Sequence, residues 1–275
     1  MYAPALGPVE AAERRAADLE RGRHLVTAVA QCTFCHGNDL GGREIADDPL
    51  LGRIDSANLT SGEGGLVGRY DRADWIRALR HGVRPDGRSL VLMPAIGLSQ
   101  IADADLAAVV DYLEQVPPID RAPRPTRFGW MTRAVVALGL ADDIFSAEEA
   151  IRRHAAGPMP PFGEAPTPAY GAYLVALGNC RVCHKADLRG GLHPLALPEE
   201  PPPPPLVGDG AMEGWTRADF ARAMREGRTP EGQVLNREYM PWPGYAALTD
   251  IEIDALWAYL APGASPAPER LTASR

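Results

Sequence analysis

The sequence has little of what usually staples or anchors a chain. Only four cysteines stand among 275 residues, and their placement decides the reading. No apolar run approaches the ~20 residues of a membrane-spanning helix. The most apolar stretch, Ala134 to Leu140, is far too short. The start, Met1-Tyr2-Ala3-Pro4, has neither a basic nor an apolar leader region, so no signal peptide is visible. Lys185 is the only lysine, which a composition bias explains without any function. Net positive charge is also missing. The formal charge is −8, with −2 on residues 1–137 and −6 on 138–275. An acidic chain repels phosphates, which argues against a nucleic-acid partner.

Structure breakers are plentiful. Glycine (28) and proline (27) make up one residue in five. Hydrophobic residues at 45% still suffice to build cores, so the chain is not disordered. The composition predicts short helices joined by irregular chain, which needs something further to hold it. The length suits two domains.

All four cysteines lie in two copies of one motif, Cys32-Thr33-Phe34-Cys35-His36 and Cys180-Arg181-Val182-Cys183-His184. C-x-x-C-H is the attachment motif of c-type haem. Two thiols within one helical turn reach the vinyl groups along one side of a porphyrin. The histidine that follows then lies under the ring, ready to ligate iron. Thioethers form only where haem is delivered outside the cytoplasm, so the protein is expected to be exported and the chain to be mature or trimmed. A C-x-x-C pair is also half of a zinc site or a redox dithiol. A redox dithiol wants a βαβ setting that is not evident. A Cys₄ zinc site does not ask for a histidine after each pair.

The repeat extends beyond the cysteines. Gly22-Arg23-His24-Leu25-Val26 matches Gly171-Ala172-Tyr173-Leu174-Val175, and Asp39-Leu40-Gly41-Gly42 matches Asp187-Leu188-Arg189-Gly190-Gly191 with one insertion. Tyr70 to Leu90 aligns with Trp215 to Leu235 without gaps, identical at 10 of 21 positions. The chain thus divides into a domain over 10–116, a proline-rich connector over 117–167, a second domain over 168–262 and a tail over 263–275.

Met93-Pro94 lies 57 residues after His36, and Met240-Pro241 lies 56 after His184. Both precede a helix ending in Tyr-Leu (Tyr112-Leu113 and Tyr259-Leu260). Methionine sulfur is a soft ligand that suits haem iron opposite histidine. Proline after it favours an extended loop, which can lay a thioether against the open haem face. Met93 and Met240 are therefore the expected sixth ligands. Met1, Met131, Met159, Met212 and Met224 read as packing. Bis-histidine ligation competes through His24, His81, His154 or His193, but none has a histidine at its counterpart in the other repeat.

Each repeat reads as a small all-α domain with long irregular loops. One helix runs into the haem motif, over about 10–34 and 168–182. A second starts at the cap Asp71 or Thr216 and stops at Gly82 or Gly227. A last helix, capped at its start by Asp103 or Asp250, carries apolar residues at helical spacing. Trp75 and Phe220 read as core. In the connector, Met131–Leu140 and Ala147–Ala155 read as short helices packed across the domains. Pro201–Pro205 reads as a stiff loop in place of the first repeat's Ala57–Gly62.

From Gly22 to Leu260 the chain resembles the class I di-haem c-type cytochromes of bacteria. The residues that carry the likeness are Asn58-Leu59-Thr60, the Arg80–Arg88 segment, and Met-Pro before a final helix. It is similar to cytochrome subunits of periplasm-facing alcohol, aldehyde and gluconate dehydrogenases. Members of that group often carry three haems and a membrane anchor, whereas this chain has two haem motifs and no anchor. The resemblance implies two covalent haem c groups and a periplasmic carrier of single electrons. Its partners would be a dehydrogenase or quinol-oxidising complex as donor and an oxidase or another cytochrome as acceptor. Membrane association would come only through a partner or a missing N-terminal segment. Two other readings stand beside it: a fixed subunit of a dehydrogenase complex, and a di-haem peroxidase-type enzyme. The peroxidase needs one open haem face, against which two complete His/Met sets argue. A cysteine-ligated thiosulfate-oxidising haem enzyme would need a fifth cysteine.

Overall fold

A computed structural model describes residues 8–139, 145–154, 162–191, 201–208 and 212–261, with the side chains of 8–14 left aside. The tail expected at 263–275, with Met1, Met159 and His193, lies outside the described residues.

The first repeat begins with α1 (Pro8–His24), which runs into one π turn (Leu25–Val29). The haem motif forms its own short helix α2 (Cys32–His36). After a loop come α3 (Arg72–His81), the one-turn α4 (Ala95–Leu98) and α5 (Asp103–Leu113). The second repeat copies this order: α8 (Pro168–Leu177), α9 (Cys180–His184), α10 (Arg217–Glu226), α11 (Trp242–Tyr245) and α12 (Asp250–Leu260).

The helix expected to run unbroken into each motif is instead interrupted. Gln31 (φ 48°) and Asn179 (φ 55°) take left-handed backbone, which no helix continues through. Asp71 and Thr216 cap α3 and α10 in reciprocal capping boxes, and Gly82 and Gly227 end them at φ 62° and 64°. Asp103 and Asp250 are not caps but first helical residues. Thr249 caps α12, while Ala102 precedes α5 without a side-chain cap.

The chain is mostly helical rather than all-α. An antiparallel sheet joins β1 (Glu44–Asp48) and β2 (Gly52–Asp55) of the first repeat to β3 (Arg127–Phe128) of the connector. Arg124 locks that edge, its guanidinium 2.8 Å from Asp55, 2.9 Å from Asp47 and 2.6 Å from Glu44. The connector's helices are α6 (Trp130–Ala137) and α7 (Ala147–Arg153). Its described parts touch both repeats: α7 lies against α3 and α4 of the first, and Phe162 stacks on Tyr173 of the second with ring centroids 4.3 Å apart.

Within each repeat the first and last helices meet at a glycine. A Cβ on Gly22 would lie 2.0 Å from the carbonyl oxygen of Ala108, and one on Gly171 would lie 2.1 Å from that of Ala255. Leu25, Val110 and Leu113 in one repeat, and Val175, Ile253 and Leu260 in the other, form one continuous buried core.

The repeats face each other about an approximate two-fold relation. His24 and Tyr173 hold the same repeat position, as do Asp105 and Glu252. His24 Nε2 lies 2.9 Å from the Glu252 carboxylate, and the Tyr173 hydroxyl donates to Asp105 at 2.6 Å. Gly97 and Gly244 also correspond. A Cβ on Gly97 would lie 2.2 Å from Ala176 O and 2.5 Å from the Asn179 side chain, and one on Gly244 would lie 2.5 Å from Gln31. Each methionine-loop helix thus abuts the residue before the other repeat's haem motif.

Glu252 is 2% exposed. Burial pushes its carboxyl up, but the His24 hydrogen bond, the Thr249 N–H and Arg21 outweigh that and hold it below 4.5. A lowered folded-state value contributes stability above 4.5, which is lost as pH falls through the lower value. Glu252→Gln is expected to lower stability at neutral pH and to flatten the acid limb. Urea unfolding of both proteins from about pH 7 to about pH 3 checks this.

Candidate functional site

The left-handed Gln31 and Asn179 each turn the chain so that their carbonyls catch the next turn. Phe34 N–H donates to Gln31 O at 2.9 Å, and Val182 N–H to Asn179 O at 3.0 Å. After each histidine the chain bends again, at Gly37 (φ 82°, ψ 157°) and Lys185 (φ 63°, ψ 166°). Leu40 and Leu188 close these bends with positive φ of 57° and 60°.

The two histidines are fixed identically. His36 Nδ1 lies 2.8 Å from the carbonyl oxygen of Ala57, and His184 Nδ1 lies 2.8 Å from that of Pro204. A carbonyl only accepts, so Nδ1 carries the proton and Nε2 keeps its lone pair. The accepting loops are pinned in turn. Leu59 N–H donates to Leu40 O, and Leu206 N–H to Leu188 O, both at 2.8 Å. The proline run at 201–205 thus supplies a carbonyl through stiff backbone, where the first repeat uses an ordinary loop. Burial pushes both imidazoles down and the carbonyl bonds only partly reverse this, so both favour the neutral, ligating form.

Burial also raises the thiols, Cys32 to about 12 and Cys180 to about 11, with Cys35 raised too. A reactive dithiol needs the opposite shift. Among the described residues no three of His, Cys, Asp and Glu gather to hold a metal, so the two motifs do not converge on one Cys₄ site.

Met93 and Met240 are half-buried against the core, and each is followed by the same proline turn: Pro94 (φ −80°, ψ 58°) and Pro241 (φ −76°, ψ 50°). The N–H two residues on closes each turn, Ala95 to Met93 O at 2.8 Å and Trp242 to Met240 O at 2.7 Å. Met212 and Met224 are core. His81 and His154 hydrogen-bond each other at 2.9 Å, and His24 is taken by Glu252. Trp75 and Phe220 are buried, as expected.

The donor set suits haem: in each repeat, two thiols, an imidazole held with Nε2 free, and a thioether on a stiff loop. Trp75 adds to the fit, since its buried Nε1 has no hydrogen-bond partner and suits an acceptor such as a propionate.

Residues 17–113 match the family model of cytochrome c oxidase, cbb3-type, subunit III, and residues 168–262 match that of cytochrome c. The chain is a di-haem c-type cytochrome. Its cofactors are two covalently bound haem c groups, and its chemistry is electron transfer. Similar proteins include a nicotinate dehydrogenase subunit of Pseudomonas putida, 30% identical over 80% of this chain and 18% of that protein. The gluconate 2-dehydrogenase cytochrome c subunit of Pantoea cypripedii is 29% identical over 76% of this chain and 47% of its own length. The alcohol dehydrogenase (quinone) cytochrome c subunit of Gluconacetobacter polyoxogenes is 29% identical over 69% and 40%. The chain spans less than half the length of each of these relatives. No described helix is long and apolar enough to cross a membrane.

The carbonyls of Ala57 and Pro204 escaped sequence reasoning, because backbone groups leave no residue signature. The pairing of Gly37 with Lys185 in the repeat did carry a signal. Lys185 sits where backbone is almost confined to glycine, at a cost of about 1–3 kcal/mol. Lys185→Gly in the cytochrome is expected to raise stability by about 1 kcal/mol, after the entropy cost of glycine. Denaturant unfolding of the holoprotein measures it.

Proposed function

We propose that this cytochrome carries single electrons out of a dehydrogenase in the periplasm. The haem domains are read as 10–116 and 168–262, joined by the connector 117–167. In the first, Cys32 and Cys35 form the thioethers, and His36 and Met93 ligate the iron. In the second, Cys180 and Cys183 form them, and His184 and Met240 ligate. The observation that carries this reading is the duplication itself: the same histidine–carbonyl bond and the same methionine–proline turn occur in both repeats.

When bound, each group supplies a one-electron ferric–ferrous couple. The residues do the rest. The cysteines fix the group's orientation. Ala57 and Pro204 hold the imidazoles in one tautomer, and Met93 and Met240 would take the iron position that water or a small ligand would otherwise occupy. Two closed faces leave no place for a substrate, which separates this reading from a peroxidase-type enzyme. The names of the relatives favour a dehydrogenase as electron donor, with the cytochrome as a subunit of the complex or as its soluble acceptor. Thioether formation requires haem delivery outside the cytoplasm, which supports the periplasm.

Met93→Ala and Met240→Ala are each expected to lower one of the two reduction potentials and to open one haem to carbon monoxide. Potentiometry and a carbon monoxide titration of the reduced holoproteins check this. Wild-type protein that binds carbon monoxide at one haem, or variants with unchanged potentials, would contradict the ligand assignment.

A further inference from the structure

The two methionine loops share their backbone but not their support. In the second repeat, Trp242 follows Met240-Pro241. Its ring covers Gly227, where a Cβ would lie 2.4 Å from the indole, and its Nε1 donates to Leu235 O at 3.1 Å. The first repeat has Ala95 at that position, too small to reach as far. The space over Gly82 is filled instead from the connector: a Cβ there would lie 3.0 Å from Ala95 Cβ, 3.3 Å from Ser146 Oγ and 3.7 Å from Ala147 Cα.

Ser146 stands before α7, where a serine ordinarily caps its own helix. Here its side chain makes no cap hydrogen bond. Its hydroxyl donates to the carbonyl of Met93 at 2.6 Å and accepts from Ala95 N–H at 3.3 Å, gripping the proline turn from both sides. Ser146 is 3% exposed and Ala150, one turn on, is fully buried. Beyond the far end of α7, His154 Nδ1 lies 2.9 Å from His81 Nε2 at the end of α3.

We propose that Ser146 is a positioning residue for the sixth ligand of the first haem, with α7 acting as a latch on the Met93 loop. The inference rests on the reading of Met93 as that ligand. The retention of Met93 on its iron then depends on the docking of a connector segment outside both haem domains, whereas that of Met240 depends on its own domain's Trp242. The first haem is the one whose distal face can be loosened from a distance.

The test uses full-length ferric holoprotein with imidazole as the competing ligand. Ser146→Ala is expected to raise imidazole affinity at one haem about fivefold, the factor that one lost hydrogen bond supplies. It should also speed hydrogen exchange at the Ala95 amide, leaving the other haem unchanged. In a Met93→Ala background the same substitution should add nothing to imidazole binding, because the two act through one group. Unchanged affinity in Ser146→Ala, or an equal effect in the Met93→Ala background, would overturn the latch. Imidazole binding unaltered by Met93→Ala alone would instead overturn the ligand reading beneath it. If Ser146→Ala does not accumulate as folded holoprotein, Ser146→Cys, a near-isosteric weaker donor, carries the same test.

Discussion

A single hydrogen bond, made twice, governs the rest of the structure: the imidazole Nδ1–H donated to a backbone carbonyl about twenty residues downstream. It fixes the tautomer, leaves Nε2 with its lone pair free, and ties the loop after each haem motif back onto the motif. The loops arrive by different means. In the first repeat Asn58, fully buried, donates to Ile119 O at 2.6 Å and accepts from Thr60, so side chains and connector hold Ala57 in place. In the second, the proline run holds Pro204 through its own stiffness. Different local chemistry converges on one carbonyl position.

The repeats are interlocked rather than strung together. His24 with Glu252 and Tyr173 with Asp105 join equivalent positions with unlike chemistry, an ionisable pair on one side and a hydroxyl–carboxylate on the other. Gly97 and Gly244 admit the opposite repeat where any side chain would collide. Each methionine loop therefore packs against the turn before the other repeat's haem motif. Symmetry breaks where the connector enters: the first repeat gains a sheet strand and a latch, while the second relies on its own tryptophan and proline run.

The haem motifs, the repeat register and the capped helices were legible in the sequence. Each depends on residue types with strong local meaning: cysteine spacing, Asp71 and Thr216 as caps, Gly82 and Gly227 as stops. The π turn and the left-handed Gln31 and Asn179 were not: glutamine does not announce positive φ, and although asparagine favours it, Asn179 sits in a helical pattern that hides the break. The extended Met-Pro loops expected are instead tight turns that lead into the one-turn helices α4 and α11. The sheet was hidden as well. Glu44–Asp48 is too acidic to read as a strand and is held by Arg124, some 80 residues away. The cap of α12 was misplaced by one residue because Thr249 and Asp250 are both good caps, and only the bond that the Thr249 N–H donates to the Glu252 carboxylate chooses between them.

The central claim is that both irons sit between histidine and methionine, held by two copies of one geometry. Near-infrared magnetic circular dichroism of the ferric holoprotein tests it most directly. The account predicts the methionine–iron charge-transfer signature at an intensity of two haems per chain. An intensity of one haem, or a bis-histidine or high-spin signature in its place, would contradict it.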